Sequence, residues 1–143
     1  MITMQEIFNE IHENGGLTPS RKVREIAERF PEKIAFRNKE FGIWHQITYE
    51  EIWNQAQYVG HALKFYGVGV KDKVAVHSEN RPEWIIADIG IQAIKSITVG
   101  LYPTNPSPEV KYLLGHSESK VLFAEDQEQV DKHLEVIDHL PEL

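Results

Sequence analysis

VAVHSENRPEWIIADIGIQAIKSITVGLY, residues 74–102, decides the plan of the chain. Val74-Ala75-Val76-His77 is a short apolar run that reads as a buried strand. Ser78-Glu79-Asn80-Arg81 is a polar turn. Pro82 opens a helix at the position where its missing N–H and fixed φ do no harm. Ile97 to Leu101 is a second buried strand. Two continuous apolar strands joined by a helix predict a βαβ crossover, with parallel strands covered on both faces. In such sheets ligands bind where strand ends meet helix starts. Function is therefore sought near Ser78–Arg81 and Tyr102–Ser107.

Working outward toward the amino terminus, Thr48 and Glu51 form a capping box ahead of a helix. Its stripe, Ile52, Ala56, Val59, Leu63 and Tyr66, is amphipathic. Gly67 closes it as the C′ residue. Gly67-Val68-Gly69 follows a helix and precedes a strand, the wrong order for a dinucleotide loop. Ile34–Arg37 and Ile43–Thr48 read as a hairpin turned by Asn38–Gly42. In it Trp44 and Gln46 share one face, and Ile43, His45 and Ile47 the other. Two helices precede the hairpin. One spans Thr3–Glu13. The second starts at Thr18-Pro19, carries Val23, Ile26, Ala27 and Phe30, and ends at Pro31.

The Pro82 helix is apolar over much of its surface, so it is buried on more than one side. Gly90 costs it about 1 kcal/mol against Ala, and close packing on the sheet is the expected reason. Beyond Leu101, Tyr102 to Pro108 is a proline-stiffened loop. Ser107 caps the next helix, with Val110, Leu113 and Leu114 on its apolar side and Gly115 at its close. Val121-Leu122-Phe123-Ala124 is a third buried strand. Asp126 with Gln129 caps a last helix whose stripe is Val130, Leu134 and Ile137, and Pro141 ends it. The order α-β-α-β-α-β-α after residue 48 predicts a parallel three-stranded layer between helices.

Composition narrows the function. The 143 residues suit one domain with a real core. With 41% hydrophobic and 26% charged residues, the chain fits the soluble globular class. A net charge of −7 argues against a nucleic-acid partner. No apolar run reaches the ~18 residues of a membrane span, and MITMQEIFNE lacks the pattern of a signal peptide. The absence of cysteine excludes disulfides and thiolate chemistry. A cytoplasmic location is the default expectation.

No self-contained active site is legible. Ser78 beside His77 lacks the G-x-S-x-G context, and neighbours on a strand diverge. The seven histidines are scattered, with no H-x-x-x-H or carboxylate at ligand spacing, so no metal site is expected. No P-loop signature occurs. Asn80 and Arg81 at a helix start could meet an anion. The plainer reading makes Asn80 an N-cap and pairs Arg81 with Glu79 or Glu83. Tyr102 and Thr104 lie just past a strand's carboxyl end; they either touch a ligand or brace a rigid turn. Trp44, Trp53 and Trp84 read as packing residues, since no basic residues interleave them.

Three segments resemble the adenylate-forming superfamily, specifically the opening part of long-chain fatty-acid–CoA ligases. Ile47-Thr48-Tyr49-Glu50-Glu51-Ile52 looks like the family's L-[TS]-Y-x-E-L motif. AIKSITVGLYP, residues 93–103, occupies the place of LKAG-x-AYVP, but has Ser96 and Ile97 where Gly is usual, and VGLYP in place of AYVP. SENRPEWIIADIG, residues 78–90, is the most specific. Tyr102-Pro103-Thr104 and the EVKYLL of residues 109–114 with His116-Ser117 fit the same branch. The resemblance runs from Phe30 to Lys132.

It implies an α/β fold: a parallel-sheet layer with flanking helices, forming part of a larger AMP-binding domain. Residues 1–33 would be a helical lead-in, 34–48 the hairpin and 49–143 the α/β layer. It also implies a parent enzyme that uses ATP, Mg²⁺ and CoA to turn a fatty acid into an acyl-adenylate and then a thioester. The family's phosphate loop (Y-T-S-G-T-T-G-x-P-K), its Y-x-x-T-E motif, its ribose-binding Asp and its carboxy-terminal-domain Lys do not occur in these residues. The expectation is thus a fragment, inactive alone, that holds none of the cofactors by itself and supplies no catalytic residue. Ser78, Asn80, Arg81, Tyr102 and Thr104 are candidate rim residues. Two other readings stay open: a non-catalytic α/β module that pairs with a complementing partner, and a small nucleotide-binding domain. Self-association through an exposed sheet edge or helix, and peripheral membrane contact, stay open too.

Overall fold

The computed structural model describes residues 18–143; the helix expected over Thr3–Glu13 lies outside them. Helix α1, Pro19–Arg29, starts as the sequence predicts. Thr18 is its N-cap, Pro19 takes the first position, and the Thr18 side chain accepts from the Arg21 N–H. Strands β1, Ile34–Glu40, and β2, Ile43–Thr48, form the antiparallel hairpin. β1 runs longer than expected, because Phe41 and Gly42 alone make the turn, at φ 47° and 83°, and β2 keeps the expected bounds. Two consecutive left-handed residues are the turn that matches the twist of a hairpin. Ile43, Trp44, His45 and Gln46 are all exposed, so the two predicted faces do not differ in burial there.

Helix α2, Tyr49–Phe65, is built from local signals at both ends. Thr48 and Glu51 make the full capping box. At the other end Gly67 has φ 82°. The Gly67 N–H donates to Lys64 and the Val68 N–H to Leu63. Val68 and Leu63 are buried in one cluster, which completes a Schellman cap with its apolar contact. Tyr66, assigned to the buried stripe from spacing, lies beyond the helix and is exposed.

Strand β3, Lys73–His77, is the centre of a parallel sheet, with β4, Ile97–Leu101, on one side and β5, Ser119–Ala124, on the other. Only β3 is buried along its length. Its alternation feeds two layers. Val74 and Val76 pack with Leu63, Val68, Ala87 and Ile91 under α2 and α3 (Pro82–Ala93). Ala75 packs with Leu101, Val110, Leu114, Val136 and Leu140 under α4 (Ser107–Ser117) and the C-terminal turns. Full burial of such side chains stabilises by roughly 1.5–3 kcal/mol each. β4 and β5 are edges and only partly buried, which corrects their reading as buried strands.

A third cluster joins Ile52, Ala56, Ile86 and Ile89 of α2 and α3 to Ala35, Phe36 and Ile47 of the hairpin and Val23 of α1. The two-sided burial expected of α3 is therefore correct, but the Gly90 contact is with α2 rather than with the sheet. Helix α5, Gln127–Leu134, starts at Asp126, whose side chain accepts from the Gln129 N–H. It stops before Ile137, which belongs to a separate 3₁₀ turn, Ile137–His139. The predicted stripe Val130, Leu134 and Ile137 is exposed, and Gln129, His133, Val136 and Leu140 face inward instead. α4 runs past Gly115 to Ser117, and Glu118 closes it in the left-handed region at φ 53°.

Candidate functional site

β3, β4 and β5 end at one level, since His77 pairs with both Leu101 and Ala124. Three segments therefore leave the sheet side by side: Ser78–Arg81, Tyr102–Pro106 and Glu125–Asp126. Strand ends of this kind form the crevice where open α/β sheets hold ligands.

The first and third segments are tied by Glu125. Its carboxylate accepts the Glu79 N–H at 2.6 Å and the Arg81 guanidinium at 3.0 Å. Arg81 Nε also donates to Glu83 at 2.7 Å. The Arg81 hydrogen bond holds the Glu83 carboxyl below its usual range. Arg81, not Asn80, is the N-cap of α3, and no side chain caps it. With Pro82 next in line, that helix start has few donors to offer an anion. Ser78 donates to the Glu79 carbonyl at 2.9 Å. A cavity of about 470 Å³ opens beside these residues, lined by Ser78, Arg81, Glu83, Trp84, Phe123 and Glu125 among others. Asn80 and Arg81 also border a second cavity of about 320 Å³, with Phe36 and Trp84.

Tyr102 and Thr104 line neither cavity. Both side chains are exposed. The backbone of Tyr102 carries its role: its N–H donates to Asn105 Oδ1 at 2.7 Å, and its carbonyl accepts the Asn105 N–H at 2.9 Å. Asn105 Nδ2 donates in turn to Glu109 at 2.7 Å. The backbone of Tyr102 thus braces a turn, as one of the two readings open in the sequence expects. Ser107 is the first residue of α4, after an N-cap at Pro106, and its hydroxyl reaches Glu135 rather than the helix start.

A buried histidine pair behind this loop escaped the sequence reading. His77 Nδ1 and His133 Nε2 are 2.9 Å apart, and His77 Nε2 lies 3.0 Å from the Tyr102 carbonyl. Their rings meet edge to face. Burial, with the nearby charges of His77 and Lys132, pushes His133 down to about 4, and burial lowers His77 as well. Both rings are therefore neutral at neutral pH. Two signals pointed here: a histidine in the central strand of a parallel sheet must be buried, and buried polar groups need partners. Naming the partner required knowing which face of α5 meets the sheet.

Among the described residues no cluster of three or more His, Asp or Glu could hold a metal ion. No described helix is long and apolar enough to cross a membrane. Nor do the rim residues fit a polyphosphate by themselves. Arg81 is the one cation among Glu79, Glu83 and Glu125, and its guanidinium is already shared between two of those carboxylates.

Residues 23–143 match the family described as AMP-binding enzyme. The chain is 32% identical over 113 residues to a long-chain-fatty-acid–CoA ligase, FadD15, of Mycobacterium bovis, covering 79% of this chain and 19% of that one. It is 28% identical over 120 residues to the long-chain-fatty-acid–CoA ligase ACSBG2 of Xenopus laevis, covering 84% and 16%. Its fold matches the solved structure of a putative long-chain-fatty-acid CoA ligase from Rhodopseudomonas palustris. That match has a TM-score of 0.78 at 24% identity and covers 89% of this chain and 31% of that one. The chain thus spans less than a fifth of the length of these two curated relatives.

Proposed function

This chain belongs to the AMP-binding enzyme family, and we propose that it forms the opening part of the AMP-binding domain of an ATP-dependent long-chain fatty-acid–CoA ligase. The observation that carries the substrate class is the name shared by its curated relatives. The strand ends support it, because they present a crevice of the right kind while leaving the phosphate-gripping groups to be supplied elsewhere. In this reading residues 1–33 are the lead-in, 34–48 the hairpin and 49–143 the α/β layer.

ATP, Mg²⁺, CoA and the fatty acid are substrates and cofactors of the longer enzyme. The acidic rim around Arg81 argues that residues 1–143 do not grip ATP on their own. Phosphoryl and adenylyl chemistry needs preorganised donors and cations where charge develops, and those groups are absent from this stretch of sequence. Ser78, Asn80 and Arg81 form the rim on one side of the crevice, and the Tyr102–Asn105 turn forms the other. Cytoplasmic residence belongs to the same proposal.

The test is an assay of two proteins, the 143-residue chain and a longer protein that continues from it, with ATP, palmitate and CoA. The longer protein is expected to release AMP and pyrophosphate and to form palmitoyl-CoA, and the 143-residue chain to form none. Failure of the longer protein on palmitate sinks the substrate class. Thioester formation by the short chain sinks the claim of an incomplete site.

The exposed edge of β4, with Ile97 48% accessible, favours a second reading in which the chain pairs with a complementing partner. The same assay, run on the short chain mixed with a separately expressed remainder, distinguishes the two by restoring activity.

A further inference from the structure

We infer that Lys132 and His133 of α5 are positioning residues that latch the Tyr102–Asn105 turn, and with it the second wall of the candidate site. The inference bears on the proposed function only through that turn. Its test reads the turn itself, so it stands or falls separately from the ligase reading.

Three observations converge. Lys132 Nζ donates to the Pro103 carbonyl at 2.8 Å and to Glu128 at 2.8 Å. His133 acts through His77, whose Nε2 meets the Tyr102 carbonyl. Adjacent residues of one helix thus hold adjacent carbonyls of one turn, the first directly and the second through a ring on the central strand. His77 and His133 are 0% and 4% accessible, so bulk water does not reach the contact between the two rings.

The chemistry orders the protons. A carbonyl only accepts, so His77 Nε2 must carry the hydrogen. A neutral His77 then presents a bare Nδ1, and His133 Nε2 must donate to it. Both rings are Nε2–H tautomers, and His133 Nδ1 is left as a bare acceptor. Among the described residues that Nδ1 is indeed a buried atom without a partner. Gln129 Oε1, one turn earlier on α5, is another. Two buried acceptors on one helix face require a donor, and a bound water supplies two hydrogens.

Proton-detected ¹⁵N spectra of the 143-residue chain at pH 7 assign each ring's tautomer. The expected result is Nε2–H for His77 and His133; an Nδ1–H tautomer at either ring overturns the latch. Amide exchange then reads the turn. Losing a buried hydrogen bond corresponds to about tenfold in a local equilibrium. His133→Leu and Lys132→Met should therefore raise exchange of the Tyr102 and Asn105 amides about tenfold relative to Val74–Val76. His133→Gln, whose amide can place an N–H where Nε2–H stood, should stay within about threefold of the unmodified chain. Equal loss with Leu and Gln, or equal acceleration of turn and central strand, marks a purely structural role and overturns the proposal. If His133→Leu does not fold, the tautomers together with Lys132→Met decide.

Discussion

A Cβ placed on Gly90 would stand 2.6 Å from the carbonyl oxygen of Ala56 and 2.8 Å from Cβ of Val59. α3 therefore crosses α2 at a distance that only glycine permits. Gly60 mirrors it: a Cβ there would lie 3.1 Å from Ile94 and 3.3 Å from the Gly90 carbonyl. The contact is what lets Ile52, Ala56, Ile86 and Ile89 close into one cluster.

Gly90→Ala should therefore destabilise the chain. Alanine is favoured over glycine in a helix interior by about 1 kcal/mol. Overpacking against a backbone atom that cannot rotate away typically costs about 1–3 kcal/mol or somewhat more. Against a backbone oxygen only 2.6 Å away the clash falls in the upper part of that range, and a net loss of up to about 2 kcal/mol is expected in urea unfolding. Gly60→Ala, which meets a side chain before it meets backbone, should cost less. A Gly90→Ala chain as stable as the original would show that the two helices separate freely.

The family's L-[TS]-Y-x-E-L motif has a physical meaning in this chain: it is a helix start. The Thr48 N–H donates to Glu51 at 2.8 Å, and the Glu51 N–H to Thr48 Oγ1 at 3.2 Å. Thr48→Ala removes the N-cap side chain and should cost about 1 kcal/mol. Glu51→Gln, which keeps an acceptor oxygen, should cost less. Urea unfolding of both variants checks the order, and a neutral Thr48→Ala would assign the motif a role other than capping.

These two cases also show what sequence can reveal. Thr48, Gly67, Thr18 and Asp126 were legible because a cap is decided by neighbours within four residues. The parallel pairing of β3, β4 and β5, though not their order in the sheet, was legible because apolar runs alternate with helices. Arg81 displaced Asn80 as cap of α3 because its backbone already has the extended conformation of an N-cap, with Pro82 fixed at the next position. Gly90 faced a helix rather than the sheet, a distinction spacing cannot make. The α5 stripe was misplaced because Val130 and Leu134 outweigh Gln129 and His133 in hydropathy. Yet the sheet end that α5 covers is polar, with His77 and the Tyr102 carbonyl to satisfy. The histidine relay is a tertiary pairing across 56 residues, and no local pattern marks it.

Acid should weaken the fold through that relay. His133 sits at about 4 in the folded chain and His77 is also depressed, while an unfolded histidine titrates near 6.5. The unfolded chain thus binds more protons in between. Stability is complete above pH ~6.5 and is lost as pH falls toward ~4. Asp126 and Glu128 oppose the depression of His77, and Lys132 reinforces it at both rings. Allowing for solvent screening at the edge of the turn, the loss from pH 7 to 5 should be on the order of 1–2 kcal/mol. Asp72, held low by the Gly69 N–H and Lys120, and Glu83, held low by Arg81, lose their contributions only as pH falls through the lower carboxylate range. Urea midpoints at pH 7, 6 and 5 measure the fall, and His133→Gln, which should flatten it, isolates the His133 part by difference. An unchanged slope in that variant would place the acid sensitivity elsewhere.

The edges of the sheet make the last prediction. Among the described residues β4 pairs only with β3 and leaves its other side open, with Ile97 exposed. Phe65 and Tyr66, at the end of α2, are 86% and 74% accessible, and Phe41 at the hairpin tip is almost bare. An open strand edge is a template for pairing with another chain, and the exposed aromatics add apolar surface elsewhere on the chain. Against it stands a net charge of −7, which opposes approach of a second copy and is screened by salt. Self-association should therefore strengthen with ionic strength, the reverse of an association driven by opposite charges. Sedimentation at about tens of micromolar protein should show a monomer at low salt and larger species as salt rises. Ile97→Lys, which puts charge on the edge strand, should weaken association by about tenfold, in line with the use of lysine to block edges. A monomer at every salt concentration, melting cooperatively at high temperature, would mean that these faces need no partner.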